Sequence, residues 1–524
     1  MKKRVRARDA GKDTIPSRTA VVTSHPLGSM NGGWVGTDYK RNDFLGRRII
    51  SSWKTTALRI QMATFDHPFL PNAGAPIRKI MLEVIGVASI DELYSDIPSQ
   101  VRTNRPLKVH WLPSEQEVRS HIDRMLADNK SASDMPIFLG AGIYNHYLPA
   151  AVKAILARTE FQTSYTPYQA EISQGLLQSL FEFQSMIADL TQMDAVNSSL
   201  YDGSTALGEA ARMASRATGR KKILVPEGLH PGKFSVLKNY TEPAGIGIET
   251  FRYDRETGGL EKGDLQAKIE RDTAAVYCEV PSFFGVLDPE VVNVPSMCHA
   301  KGTLSIVGFD PVSLGGLKPP GEYGADIVIA EGQSISTDMN FGGPALGIIG
   351  CRGENLIRQL PGRLIGMTTT LDGKERAFSM VLQTREQHIR REKATSNICT
   401  NEALFAIGAA AYLSLLGPKG LRELFESILV KTSYAIQMLN EIPGVVVPHF
   451  SGPHYQEFVV SLKGPKGTLA RLNKSLLGNG IHGGRSLVKD FPELGESALF
   501  CVTEVHSTDA IDKLRLIIAK LLEA

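Results

Sequence analysis

Cysteine is scarce and unpatterned in this chain. Five cysteines, at positions 278, 298, 351, 399 and 501, are spread over 524 residues with no C-x-x-C pair. So sparse and odd a set argues against a disulfide or zinc framework and for a reducing, cytoplasmic compartment. No run of about 18 apolar residues occurs, so no membrane span is expected. No histidine lies beside a second ligand at metal-binding spacing, so no metal site is expected. Internal repeats and low-complexity tracts are also missing. What remains is ordinary for a globular chain, with 42% hydrophobic and 22% charged residues, long enough for two to four domains with ample core.

The net charge of +3 hides an asymmetry. Residues 1–61 hold 13 Lys or Arg and 4 Asp or Glu, whereas the remainder holds 45 basic and 51 acidic residues. The body is mildly acidic, which gives no footprint for nucleic acid. The basic leader shows no sustained hydrophobic period. Its first reading is upstream sequence translated from a misassigned start, with Met62 opening MATFDHPFLPN. A disordered basic extension and an organelle-targeting leader are the alternatives. Asp9, Asp13, Asp38 and Asp43 are unusual for targeting.

Residues 76–95 read as helix, Gly turn, helix, with Ser89 and Glu92 spaced as a capping box. Residues 114–129 give a further helix. Two polar, aromatic loops follow, Gly140 to Tyr147 and Tyr165 to Gln169. Ile172, Leu176, Leu177, Leu180, Phe181, Ile187 and Leu190 then recur at helical spacing. The turn Tyr201-Asp202-Gly203-Ser204-Thr205 opens another helix at Ala206. Ser204 or Thr205 is the expected cap, and the free N–H groups beyond it suit a phosphate. An ordinary capped helix is the plainer reading of that turn.

From 221 to 352, KKILVPEG, GIETFRY, AAVYCEV, TLSIVGFD, ADIVIAEG and ALGIIGC are short apolar runs bounded by Gly, Pro or Asp. With helices between several of them, they predict a mainly parallel sheet whose ligands collect beyond the strand ends. Residues 402–441 read as two helices. The closing strands GVVVPHF, EFVVSL and ALFCVTE and a final helix predict a small α+β domain.

Six long motifs stand in order: MPIFLGAGIYNHYLP, SYTPYQAEISQG, SLYDGSTALGEAARMA, FDPVSLGGLKPPGEYGADIVIAEGQ, PGRLIG and QTREQHIRREKATSNICTN. Through them the chain, from about Pro71 to its end, resembles the glycine cleavage system P-protein family. The likeness is to the first subunit of its split, two-subunit form. The resemblance implies an α/β fold of pyridoxal-phosphate fold type I. It implies a helical N-terminal arm over 62–135, a large domain over 136–395 and an α+β C-terminal domain over 396–524.

That fold needs four groups around the cofactor: a phosphate seat, a ring-stacking side chain, an Asp on the pyridine nitrogen and a Schiff-base Lys. Gly203, Ser204 and Thr205 are the candidate seat. His230 is the candidate stacker, against a plain surface-loop histidine. Asp310 is the candidate pyridine partner, against a strand-end cap. The Lys position falls on Gln333 or Ser334, neither of which can form a Schiff base. Lys318 and Lys233 are no evident replacements.

By resemblance, the cofactor-bearing Lys belongs to subunit 2, with which this chain forms an α2β2 assembly. That assembly decarboxylates glycine and passes the aminomethyl group to the lipoylated H-protein. Tyr144, Asn145, His146, Tyr165, Tyr168 and Gln169 are then expected at the rim of the partner's site, with core packing as the alternative. Arg385, His388, Arg390, Arg391 and Lys393 read either as a solvated face or as an interface. Arg363 of PGRLIG resembles a loop near the entrance for the lipoyl arm. Two other readings stay open: a self-sufficient pyridoxal-phosphate enzyme using another Lys, and a scaffold subunit with a vestigial pocket.

Overall fold

The computed structural model describes residues 69–523, apart from 71, 73, 104, 106, 107 and 109–113. The readings of residues 1–61 lie outside these. The chain divides after Val118 into two compact units. In the first, a helix spans Ala75–Ile85 and ends on left-handed Gly86, whose N–H closes on the carbonyls of Leu82 and Glu83. It buries none of its residues, and Ile77, Ile80, Met81 and Val84 remain exposed. The second helix expected here is a 3-10 turn, Ile90–Tyr94. Ser89 caps no backbone group there. Instead Glu92 reaches past the cap to the Ala88 N–H at 3.2 Å, so the expected box does not form.

The second unit is built on a seven-stranded sheet. Its strands are β1 (Ala195–Val196), β2 (Lys222–Pro226), β3 (Gly247–Phe251), β4 (Thr273–Val280), β5 (Leu304–Phe309), β6 (Ile327–Glu331) and β7 (Gly347–Cys351). They lie in the order β1-β7-β6-β5-β4-β2-β3. β3, β2, β4, β5 and β6 run parallel, while β7 is antiparallel to both β6 and β1. The six apolar runs of the sequence supply β2 to β7, because a strand covered on both faces needs no polar alternation.

One face is covered by the Gly203–Thr218 helix, whose Ala206, Leu207, Ala210, Ala211 and Ala214 are fully buried. The small side chains bring that helix close to its neighbours. A Cβ on Gly208 would come within 2.5 Å of the Tyr240 ring. The other face is covered by the Gln174–Thr191 helix, through Leu177, Leu180, Phe183 and Ile187, and by part of the Ala403–Asn440 helix. Ile172 belongs to neither. It lies in a preceding 3-10 turn and is exposed, so the apolar period ran one turn beyond the helix.

The Ala403–Asn440 segment breaks at Gly417, ahead of Pro418, and so forms the two helices expected from the sequence. Among the described residues it is long and apolar enough to cross a membrane by length and composition, with a hydropathy of 1.4. Its Ala406, Ile407, Ala409 and Tyr412 are buried in the core of the large sheet. Its Ala435 and Leu439 are buried against the last sheet instead. This is the pattern of a core helix shared between two layers.

A two-stranded hairpin, β8 (Leu364–Thr369) and β9 (Arg376–Val381), precedes that helix. The last sheet is antiparallel, with order β10-β11-β13-β12, where β10 is Val445–Val446, β11 Glu457–Leu462, β12 Arg485–Ser486 and β13 Ser497–Cys501. Helices Thr468–Gly478 and Thr508–Glu523 cover it with Leu469, Leu472, Leu476, Ile511, Leu514 and Ile518. An aromatic cluster of Tyr253, Phe283, Phe284, Phe450 and Phe491 fixes this sheet to the loop after β4.

Candidate functional site

The parallel strands end together, and a cavity of about 270 Å³ lies beyond their carboxyl ends. β4 delivers Glu279, β5 delivers Asp310 and β6 delivers Glu331. Gly203 and Ser204 reach it from their helix start, and His230 and Lys233 from the helix Pro231–Thr241. Tyr455, Gln456 and Glu457 close it from the head of β11. Four of the expected cofactor residues, Gly203, Ser204, His230 and Asp310, therefore face one space. Thr205 does not line it.

The cap of the Gly203–Thr218 helix is Asp202, not Ser204 or Thr205 as the sequence suggested. Its Oδ1 accepts from the Thr205 N–H at 2.6 Å, while Thr205 Oγ1 accepts from the Asp202 N–H at 3.1 Å. The helix starts at Gly203 because this reciprocal box forms two residues earlier than a Ser204 cap would. Asp202 follows the rule that a short carboxylate caps at least as well as a hydroxyl.

Glu331 occupies the same helix start. Its Oε2 accepts from the Gly203 N–H at 3.0 Å, and its Oε1 from Gln333 and Leu346 N–H, both at 2.9 Å. Burial nevertheless pushes its carboxyl up to about 7, against the pull of those three donors. Glu457 is held similarly. Its Oε1 accepts from the Ala141 N–H at 2.5 Å and its Oε2 from Tyr144 Oη at 2.8 Å. Burial pushes it up to about 7 as well, and the nearby Glu279 and Asp310 charges add to the shift. Burial also raises Asp310, whose Oδ1 accepts from the Ser313 N–H at 2.8 Å.

His230 is fixed from both sides. Its Nδ1 accepts from the Gly232 N–H at 2.9 Å, capping its own helix, and its Nε2 lies 2.8 Å from Arg485. Burial, then the Arg485 and Lys233 charges, lower it to about 4, so the ring is neutral. Its ring meets Phe283 edge-on at 5.1 Å. Lys233 Nζ is paired with Glu279 at 2.7 Å, and Tyr277 Oη donates to the same carboxylate at 2.6 Å. Lys318 is exposed and is not among the cavity-lining residues. Gln333 and Ser334 are buried in the 3-10 turn after β6, where Gln333 Nε2 donates to the Thr337 carbonyl at 2.6 Å.

The two aromatic loops go to different places. Tyr144 faces this chain's own cavity, on Glu457. The Asn145 carbonyl accepts from Thr503 Oγ1 at 2.6 Å. His146 is buried with Nδ1 on Glu504 at 2.8 Å, and its Nε2 has no partner. Tyr165, Tyr168 and Gln169 instead lie on the surface, with Tyr165 69% and Tyr168 50% exposed. Tyr165 Oη hydrogen-bonds Thr400 Oγ1. Tyr168 meets His388 edge-on at 5.8 Å, and the Arg363 guanidinium lies 5.9 Å from its ring. The 383–393 segment is a set of short turns, not one helix. It buries Arg385, which donates to the Leu360 carbonyl, and leaves His388, Arg390, Arg391 and Lys393 exposed.

The sequence reading passed over Glu279, Glu331, Tyr455, Gln456 and Glu457. A faint signal existed for three of them: each is a lone acid at the end of an apolar strand, in YCEV, VIAEG and YQEFVV. The raised pKa of Glu457 has a checkable sign. Its folded value lies above that of an unfolded carboxyl, so the native state holds the proton more tightly. The stability this brings is complete below about pH 4.5 and lost as pH rises toward 7. Glu457→Gln should therefore gain on the wild type between about pH 5 and pH 8, by about 2 kcal/mol. Thermal midpoints of both proteins across that range measure it, and a pH-independent difference would contradict it.

Residues 70–514 match the family model described as glycine cleavage system P-protein. The protein named probable glycine dehydrogenase (decarboxylating) subunit 1 of Staphylothermus marinus is 46% identical over 457 residues, covering 86% of this chain and 97% of that protein. Its namesake from Aeropyrum pernix is 47% identical over 461 residues, covering 86% and 98%. Among solved structures, an inhibitor-bound glycine decarboxylase (P-protein) of the glycine cleavage system superposes with a TM-score of 0.76 at 37% identity, covering 86% of this chain and 98% of that one. A cysteine desulfurase from Escherichia coli shares the fold alone, with a TM-score of 0.54 at 14% identity.

Proposed function

This chain belongs to the glycine cleavage system P-protein family, and from that premise we propose that it acts as the first subunit of a two-subunit glycine decarboxylase. The fold is that of fold type I pyridoxal-phosphate enzymes. Pyridoxal phosphate in this assembly is carried by subunit 2, whose Lys holds it. The assembly removes CO2 from glycine and passes the aminomethyl group to the lipoyl arm of the H-protein. It is an α2β2 heterotetramer working in the cytoplasm.

The observation that carries this reading is Glu331 on the Gly203 N–H. A phosphate needs free N–H groups at a helix start. Here the chain's own carboxylates, Glu331 and Asp202, take the donors of Gly203 and Thr205. A phosphate placed there would meet the Asp202 charge, at roughly 4 kcal/mol for a unit-charge pair 4 Å apart, and a Glu331 carboxyl that is half-charged near pH 7. Nor is a free amine at hand, since Lys233, which lines the cavity, is committed to Glu279. The residues of this cavity do not fit the cofactor, and the chemistry belongs to the partner.

What this chain supplies is surface. Tyr165, Tyr168, Gln169 and His388 form an exposed polar and aromatic group, backed by the buried Arg363, that suits the edge of a neighbouring site. There they would hold substrate by hydrogen bonds and exclude water. The unburied apolar face of the Ala75–Ile85 helix offers area for the same association.

Glycine–bicarbonate exchange with H-protein and pyridoxal phosphate tests this. The chain alone should exchange at background, and adding subunit 2 should raise the rate on the order of a thousandfold or more. Tyr165→Phe and Tyr168→Phe should each lower the mixture's rate about tenfold, with the thermal midpoint of the isolated chain unchanged. Exchange by the chain alone would make Lys233 the residue to replace next. Full rates in both variants would favour a scaffold role.

A further inference from the structure

The cavity beyond the strand ends carries more negative charge than the fold answers. Five carboxylates line it. Three are compensated from within: Asp202 caps a helix, Glu331 takes three backbone N–H groups, and Glu279 pairs with Lys233. Asp310 and Glu457 meet only neutral donors, namely the Ser313, Val312 and Ala141 N–H groups and Tyr144 Oη. Among the described residues no Lys or Arg forms an ion pair with either. The imidazole near Asp310, His146, is already committed to Glu504.

A second, independent feature points the same way. Tyr455 and Gln456 line the cavity, are 0% and 3% exposed, and keep Tyr455 Oη and Gln456 Oε1 without any hydrogen-bond partner. Buried polar atoms are nearly always paired, so two orphans on adjacent side chains that line one space call for a donor. Gln456 is moreover held at a φ of 64°, a left-handed conformation unusual for a side-chain-bearing residue. Strain of this kind gathers at ligand clamps.

We propose that this cavity binds a small primary ammonium compound, with Asp310 and Glu457 as counter-charge and with Gln456 Oε1 and Tyr455 Oη accepting its N–H donors. A divalent metal is a poorer occupant, because among the described residues no three acidic, His or Cys side chains converge to ligate one. A quaternary ammonium brings charge but no N–H donor for the orphaned atoms. A zwitterionic amino acid would set its carboxylate against Asp310 and Glu457, with Lys233 already engaged. The space of about 270 Å³ admits such an amine with room for water beside it. The proposal stands on the cavity alone and survives or fails independently of the decarboxylase reading.

The test is calorimetric titration of the full chain with methylammonium chloride at fixed ionic strength and a pH of about 8. Saturable one-to-one binding is expected, with tetramethylammonium, glycine and potassium at least about tenfold weaker. Asp310→Asn and Glu457→Gln should each weaken methylammonium binding about tenfold or more. Glu457→Gln could disturb β11, so Tyr455→Phe provides a milder check, since it keeps the ring stacked on Phe425 at 4.9 Å and removes only the hydroxyl. It too should bind methylammonium more weakly. Three results would each overturn the proposal. They are no saturable heat up to about 100 mM methylammonium, equal binding of tetramethylammonium, and wild-type affinity in all three variants.

Discussion

Gly285→Ala is expected to destabilise the chain by about 4 kcal/mol or more, enough to cut soluble yield and lower the thermal midpoint by several degrees. Gly285 sits in the turn after β4 at a φ of 81°, where any other L-residue is strained. A Cβ there would lie 1.8 Å from the Glu457 carbonyl oxygen and 2.3 Å from its carbon. Neither side can yield cheaply. Gly285 N–H donates to Ser282 O at 2.8 Å, and Gly285 O accepts from the Tyr455 N–H at 2.9 Å. Glu457 itself is in register with Cys501 at the head of β11. The turn thus clamps the large sheet onto the last one, and the same clamp aims Tyr455, Gln456 and Glu457 at the cavity. A Gly285→Ala protein with a wild-type midpoint would show that this contact is slack.

Glu331→Ala should be almost as severe, at about 4 kcal/mol. Three buried N–H groups, of Gly203, Gln333 and Leu346, lose their acceptor at once. Each such loss costs about 1–3 kcal/mol, less where water from the cavity can enter. Glu331→Gln should cost about half as much. Its single oxygen can still serve Gln333 and Leu346, and its amide is left facing the Gly203 donor. Removing the carboxylate also uncovers the helix start. Inorganic phosphate should then raise the midpoint of Glu331→Ala and leave the wild type unmoved. Equal stability of all three proteins would mean that Glu331 is a bystander to the turn it bonds.

Much of the frame was legible. The six apolar runs bounded by Gly, Pro or Asp are strands because such runs satisfy a sheet buried on both faces, and they needed no tertiary knowledge to find. The two helices over 402–441 were expected as well, and the structure puts their break at Gly417, ahead of Pro418, which has no N–H to continue a helix. Local rules failed where two candidates competed for one backbone group. Asp202 outbid Ser204 and Thr205 for the cap of the Gly203–Thr218 helix. At Ser89 the expected box did not form, because the segment is a 3-10 turn and Glu92 took the Ala88 N–H instead. Ile172 had the right spacing but lay outside the helix, since periodicity marks a face and not a boundary.

The candidate site divides along the same line. Gly203, Ser204, His230 and Asp310 could be named from the chain because each follows a strand or opens a helix, and the parallel topology carries all such positions to one edge. The sequence by itself therefore determined the family, the sheet and the edge at which a ligand would sit. It could not determine that edge's charge. Glu331 and Gly203 are 128 positions apart, and Tyr144 and Glu457 are 313. Only folding brings those partners within 3.0 Å, where burial raises two carboxyls and Glu331 takes the Gly203 N–H of the expected phosphate seat. Likewise, two aromatic loops alike in composition were separated only by packing, one turned onto Glu457 and the other onto open surface. Hydrogen bonding and desolvation act through space and not along the chain, and at this site they were left to the tertiary structure.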